Sequence, residues 1–180
     1  MKRFIVAILA TAFVTGVAQA QVRSGAGINA VANNYQIRDM RTKENSARST
    51  SYGFDANYQF QLSSEVSALI RAGEQMGSAS YPRDEDYDYY KTGGVGADAR
   101  IWRRQFFAGV GYDRSYLTYT HGIERYTEIS WTDRMRITAG LELDTGLCFE
   151  FALARSEQYE FTDVSNQRIM GTTIAIGRRW

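Results

Sequence analysis

Thr50-Ser51-Tyr52-Gly53-Phe54-Asp55-Ala56-Asn57-Tyr58-Gln59-Phe60-Gln61-Leu62 alternates without a break. Thr50, Tyr52, Phe54, Ala56, Tyr58, Phe60 and Leu62 share one face, and Ser51, Gly53, Asp55, Asn57, Gln59 and Gln61 share the other. Successive side chains of an extended chain point to opposite sides, so this run predicts one long strand with an apolar and a polar face. Ile129 to Leu143 repeats the pattern, with Ile129, Trp131, Met135, Ile137, Ala139, Leu141 and Leu143 opposite Ser130, Thr132, Arg134, Arg136, Thr138, Gly140 and Glu142. Only Asp133 interrupts its apolar face.

Six weaker copies fill the rest of the chain: Ser24 to Tyr35, Val66 to Met76, Gly93 to Ile101, Phe106 to Tyr116, Leu147 to Arg155 and Arg168 to Trp180. Eight strands result. Short turns fall near Ser63-Ser64, Trp102-Arg103-Arg104-Gln105 and Asp144-Thr145-Gly146. Longer polar loops run from Gln36 to Ser49, Gly77 to Thr92, Leu117 to Glu128 and Ser156 to Gln167. Short turns at one end and long loops at the other are the pattern of transmembrane barrels. The expected fold is an all-β, eight-stranded, antiparallel, up-and-down transmembrane β-barrel with both termini on the periplasmic side.

Residues 1–20 read as an export signal to be removed. Lys2 and Arg3 precede the apolar run Phe4 to Val14, and Ala18-Gln19-Ala20 forms a small-x-small cleavage site. Residues 21–180 then form the barrel domain. Of 21 basic and 20 acidic residues, the signal takes Lys2 and Arg3, leaving 19 against 20. That near-neutral balance lacks the basic excess that nucleic-acid binding requires. Cys148 is the single cysteine, so no internal disulfide can form. Beyond the signal no stretch reaches the roughly 18 consecutive apolar residues of a membrane helix. With 12 Tyr, 9 Phe, 3 Trp and one proline, Pro82, the composition suits long strands.

Alternation would also describe a soluble barrel with an apolar interior around a ligand. The glycines decide the orientation. Gly25, Gly27, Gly53, Gly73, Gly94, Gly96, Gly109, Gly111, Gly140, Gly171 and Gly177 share the polar register with the charged residues. An eight-stranded interior is just wide enough for side chains to fill, so small residues interleaved with long ones belong inside. The interior charges are Asp55, Asp98, Asp113, Glu142 and Glu150 against Arg71, Arg100, Arg134, Arg136 and Arg179. Unpaired buried ions cost several kcal/mol each, so these groups are expected to form a salt-bridged plug, with Asp55 near Arg71 and Glu150 within a diagonal step of Arg136. Aromatic residues on the apolar face gather toward two edges, Phe60, Phe106, Phe149 and Trp180 at one, Tyr52, Tyr112 and Trp131 at the other, as interfacial belts do.

Read this way, the chain resembles the OmpA- and OmpX-type family of small outer-membrane barrels over all of residues 21–180. The most specific element is the last strand, where Ile174, Ile176 and Trp180 match the alternating apolar positions and terminal aromatic. Arg178 departs from the pattern, standing where the family often has an aromatic. The resemblance implies a bacterial outer-membrane location, contact with outer-membrane lipid and lipopolysaccharide, and recognition of the last strand by the assembly machinery.

Catalysis is not expected. Lipid A-modifying barrels need a histidine that activates a serine, and His121 is followed at position 123 by Ile where a His-x-Ser pattern needs Ser. A solvated loop histidine is the better reading. The acidic, tyrosine-rich stretch Tyr81 to Tyr90 fits no defined calcium loop; no metal or cofactor site is assigned. Arg38, Arg41, Lys43 and Arg48 make the first loop basic, suited to lipopolysaccharide phosphates. Cys148 reads as a small inward filler. The leading function is a structural or surface-contact role; a lipid A-modifying enzyme and a small channel are the alternatives.

Overall fold

The computed structural model describes residues 24–40, 45–80, 87–121, 126–160 and 166–180. Residues 1–20, read as a signal, lie outside them, as do Arg41, Lys43 and most of the acidic stretch, 81–86. The strands are β1 (Gly25–Asp39), β2 (Asn45–Gln61), β3 (Val66–Ser80), β4 (Tyr87–Arg103), β5 (Phe106–His121), β6 (Tyr126–Glu142), β7 (Leu147–Ser156) and β8 (Gln167–Arg179). Each pairs antiparallel with its chain neighbour, and β1 pairs with β8 to close the barrel. Closure leaves no free edge where all eight strands overlap; β6 outruns the short β7 on the loop side, where, among the described residues, 126–133 ladder with β5 alone.

The registers determine the stagger. One line of paired residues runs Gly25, Gln59, Leu69, Asp98, Gly111, Arg136, Ala154, Gly171 and returns to β1 at Tyr35. The return is displaced by 35 − 25 = 10 residues. With a rise of about 3.3 Å and a strand spacing of about 4.8 Å, a ten-residue shear over eight strands tilts them by about 40°.

The polar register faces the lumen and the apolar register faces outward. Ser51, Asp55, Gln59, Asp98, Arg100 and Glu150 are buried, whereas Phe54 is 67% exposed and Val110 62%. The structure also explains the glycines: a Cβ at Gly73 would come within 2.8 Å of the Asp55 Cβ. The tight ends are set by backbone conformation, with Arg104 at φ 56° and Gly146 at φ 82° in the left-handed region.

Strands exceed the expected ranges on the loop side. β3 and β4 run on to Ser80 and from Tyr87, and β5 and β6 run to His121 and from Tyr126. The segments expected as long loops are thus partly ladder. Polar side chains there carry no alternation signal, yet their backbone groups still pair. His121 accordingly stands at the end of β5, paired in register with Tyr126, not at a loop tip. The turn expected over Trp102 to Gln105 is also shorter, since Trp102 and Arg103 belong to β4.

Candidate functional site

The site is the lumen, where the inward-facing charges meet in layers. β3 brings in Arg71, β4 Asp98 and Arg100, β2 Asp55, and β7 Glu150. Arg71 donates from Nη1 to Asp55 Oδ2 at 3.2 Å and from Nη2 to Glu150 Oε1 at 3.0 Å. Its Nη2 also bonds Asp98, and Arg100 Nη2 bonds both Glu150 and Asp98. Arg136 donates to Asp98 Oδ1 at 2.6 Å and lies 3.0 Å from Asp113. Arg134 completes the cluster through Asp113 Oδ2 at 3.1 Å and the Tyr35 hydroxyl at 3.3 Å.

Asp55, Arg71, Asp98, Arg100, Arg134, Arg136 and Glu150 are therefore brought into one network, with Asp113 as its link. Four carboxylates face four guanidiniums, so the cluster is formally neutral. Glu150 and Arg136 do not pair directly. Register is the reason: Arg136 lies opposite Ala154 and Glu150 opposite Gly140, four residues apart instead of one diagonal step. Glu142 stands outside the cluster, pairing with Arg179 at the turn end of the lumen, and Arg179 Nη2 also donates to Asn57 Oδ1 at 3.3 Å.

Apolar layers flank the charges. Near the turns, buried Trp102, Phe107 and Cys148 pack together, with Trp102 and Phe107 ring centroids 4.9 Å apart. Arg100 places its guanidinium 4.3 Å over the Phe107 ring, so its face meets a π-system while its edge holds carboxylates. Trp102 Nε1 donates to Ser67 Oγ at 2.8 Å. At the loop end, Tyr35, Ile37, Leu117 and Ile169 are buried. Tyr159, just past β7, folds in beside them, and its hydroxyl lies 2.8 Å from Ser115 Oγ. Sequence reading missed Trp102 and Tyr159. Trp102 could have been found, since it continues the even-numbered register of Asp98 and Arg100; Tyr159 follows no strand period and gives no such signal. A cavity of about 30 Å³ touches Tyr35, Asp55, Arg71, Asp113, Arg134 and Arg136, room for one or two waters.

On the outer wall, Asp133 is not isolated: Arg114 of β5 donates from Nη1 to its Oδ1 at 3.1 Å. A second outward pair joins Lys91 Nζ to Glu74 Oε1 at 2.5 Å, and the Tyr116 hydroxyl donates to Glu74 Oε2 at 2.8 Å. Ile174, Ile176 and Trp180 also face outward, 57%, 49% and 66% exposed. Arg178 shares their face.

The arrangement can be set beside solved structures. Neisserial surface protein A superposes with a TM-score of 0.68 at 11% identity, covering 87% of this chain and 98% of that one. This is the fold of the small outer-membrane barrels. Ail of Yersinia pestis, solved in complex with the heparin analogue sucrose octasulfate, shares that barrel fold with a TM-score of 0.57 at 10% identity, covering 88% of this chain and all of that one. No family model matches the chain, and no curated protein matches it in sequence. At such low identity the small-barrel fold is what is shared.

Proposed function

We propose that the chain is a bacterial outer-membrane protein whose barrel is a sealed, non-catalytic scaffold presenting its loop end for surface contact. The observation that carries this reading is the neutral cluster around Arg71, which reaches Asp55, Asp98 and Glu150 from three different strands. A neutral, cross-bonded layer between two apolar layers offers no continuous water path for ions, and its buried guanidiniums have partners instead of a substrate. The outward apolar face suits lipid, and Ile174, Ile176 and Trp180 would serve as the assembly signal on the last strand. Arg38 and Arg48, both outward and exposed, would meet lipopolysaccharide phosphates.

The test is to refold residues 21–180 into micelles and compare boiled with unboiled mobility in a gel, then record planar-bilayer current. A mobility shift on heating with no conductance steps is expected. Protein that stays monodisperse without detergent overturns the membrane assignment, and regular conductance steps overturn the sealed lumen.

A further inference from the structure

The outer wall carries a groove with a polar end. Tyr58, Ile70, Ala97 and Tyr112 lie on one line of paired residues across β2 to β5, and Ala56, Ala72, Val95 and Arg114 lie on the next. The tyrosines, 41% and 54% exposed, stand as two ridges roughly 14 Å apart, three strand spacings. Between them, on β3 and β4, Ala72 and Ala97 lie low diagonally across from each other, beside the taller Ile70 and Val95, and Ala56 continues the low line on the β2 side. The resulting groove has a volume of about 790 Å³ and a lining dominated by apolar side chains, with Arg114 at its edge.

Arg114 is the second observation. Its side chain is 57% exposed, and its bond to Asp133 uses one N–H of the five that a guanidinium offers. The remaining donors lie beside the groove on the loop side of Tyr112. An apolar trough running along tilted strands and ending at an open guanidinium matches one amphiphile: an acyl chain in the trough and a phosphate at its head. Guanidinium and phosphate pair through two parallel hydrogen bonds, stronger than neutral ones.

We propose that this groove is a specific site for one phosphate-bearing membrane lipid, with an acyl chain lying over Ala72 and Ala97 against Ile70 and Val95 and the phosphate held by Arg114. The inference rests on the reading that this wall faces lipid. Asp133 then acts as a competitor for Arg114, positioning the guanidinium in the absence of lipid and yielding a share of it to the phosphate.

The probe is dimyristoyl phosphatidylglycerol, titrated into the refolded barrel in non-ionic micelles and followed by native mass spectrometry. One saturable adduct is expected, with dimyristoylglycerol, which lacks the phosphate, retained roughly tenfold less, as loss of about 1.4 kcal/mol would give. Inorganic phosphate is expected not to compete. Ala97→Leu fills the floor and Arg114→Gln removes the charge; each should weaken retention by about tenfold. Asp133→Asn should tighten it, an effect that a merely structural role for the pair would not produce. Ala139→Leu on β6, away from the groove, serves as the control. Equal retention by wild type, Ala97→Leu and Arg114→Gln, or equal retention of dimyristoylglycerol, overturns the proposal. Each variant must keep its heat-shifted mobility. Failure of the membrane reading would instead appear as loss of that shift in the wild type.

Discussion

Arg71 of β3 meets Glu150 of β7 with Nη2 3.0 Å from Oε1, although the two strands stand on opposite walls of the barrel. A bond between opposite walls can form only through the middle of the lumen. Glu150 also holds Arg100. Replacing Glu150 with alanine withdraws a carboxylate from both guanidiniums and leaves buried positive charge uncompensated. The expected loss is about 3–5 kcal/mol, read as a lower urea midpoint for the refolded barrel.

The pair of Glu142 and Arg179 at the turn end allows a cleaner comparison. Glu142→Leu or Arg179→Met alone should cost about 3–5 kcal/mol, whereas the double substitution should recover most of it, because two buried charges then disappear together. Equilibrium unfolding of all four proteins would show strong non-additivity. Additive losses would mean that the two groups do not depend on each other.

Val110 faces outward on β5 and is 62% exposed. In a water-soluble barrel, Val110→Arg would be nearly neutral, within about 0.5 kcal/mol. Facing lipid, it should cost about 2–4 kcal/mol in a bilayer. Gln36→Arg, exposed near the loop end of β1, should cost about 0–1 kcal/mol. The contrast between the two sites, measured by folding into vesicles, checks the orientation of the wall.

Trp102 packs on Phe107 and donates to Ser67. Trp102→Ala opens a cavity in the turn-end layer and strands a hydroxyl. About 3–5 kcal/mol of stability should be lost. Accessibility should change with it: Cys148, buried in the same cluster, is expected to resist thiol reagents in the folded wild type and to react faster in Trp102→Ala.

The faces of Asp55, Arg71 and Glu150 were legible because period two is a local property: each residue's side follows from parity alone. Their partners were not. The contact from Arg71 to Glu150 depends on the ten-residue shear, which arises only when β1 closes on β8. Sliding a strand by two residues preserves every face, so alternation cannot distinguish registers, and the expected contact of Glu150 with Arg136 missed by that kind of offset. Strand ends were legible only where apolar residues stop. Past Met76 and Tyr116 the backbone pairs without any side-chain signature, and ladder continued where loop was expected. Tyr159 lies beyond the reach of any period, since a single side chain folded into the lumen leaves no repeat.

The extra length of the loop-side ladder has a consequence for whatever meets the protein there. β6 continues seven residues beyond Asp133, to Tyr126, which at about 3.3 Å per residue and a tilt of about 40° lifts its end by roughly 18 Å. Electrostatic influence in physiological salt fades over about 8 Å. If the Arg114 and Asp133 level marks the phosphate plane, the paired tips of β5 and β6 stand two screening lengths above it, while β7 ends near that level, opposite Arg134. A visiting molecule would then sense the charge of the tips themselves, with the field of the lipid surface already extinguished beneath them.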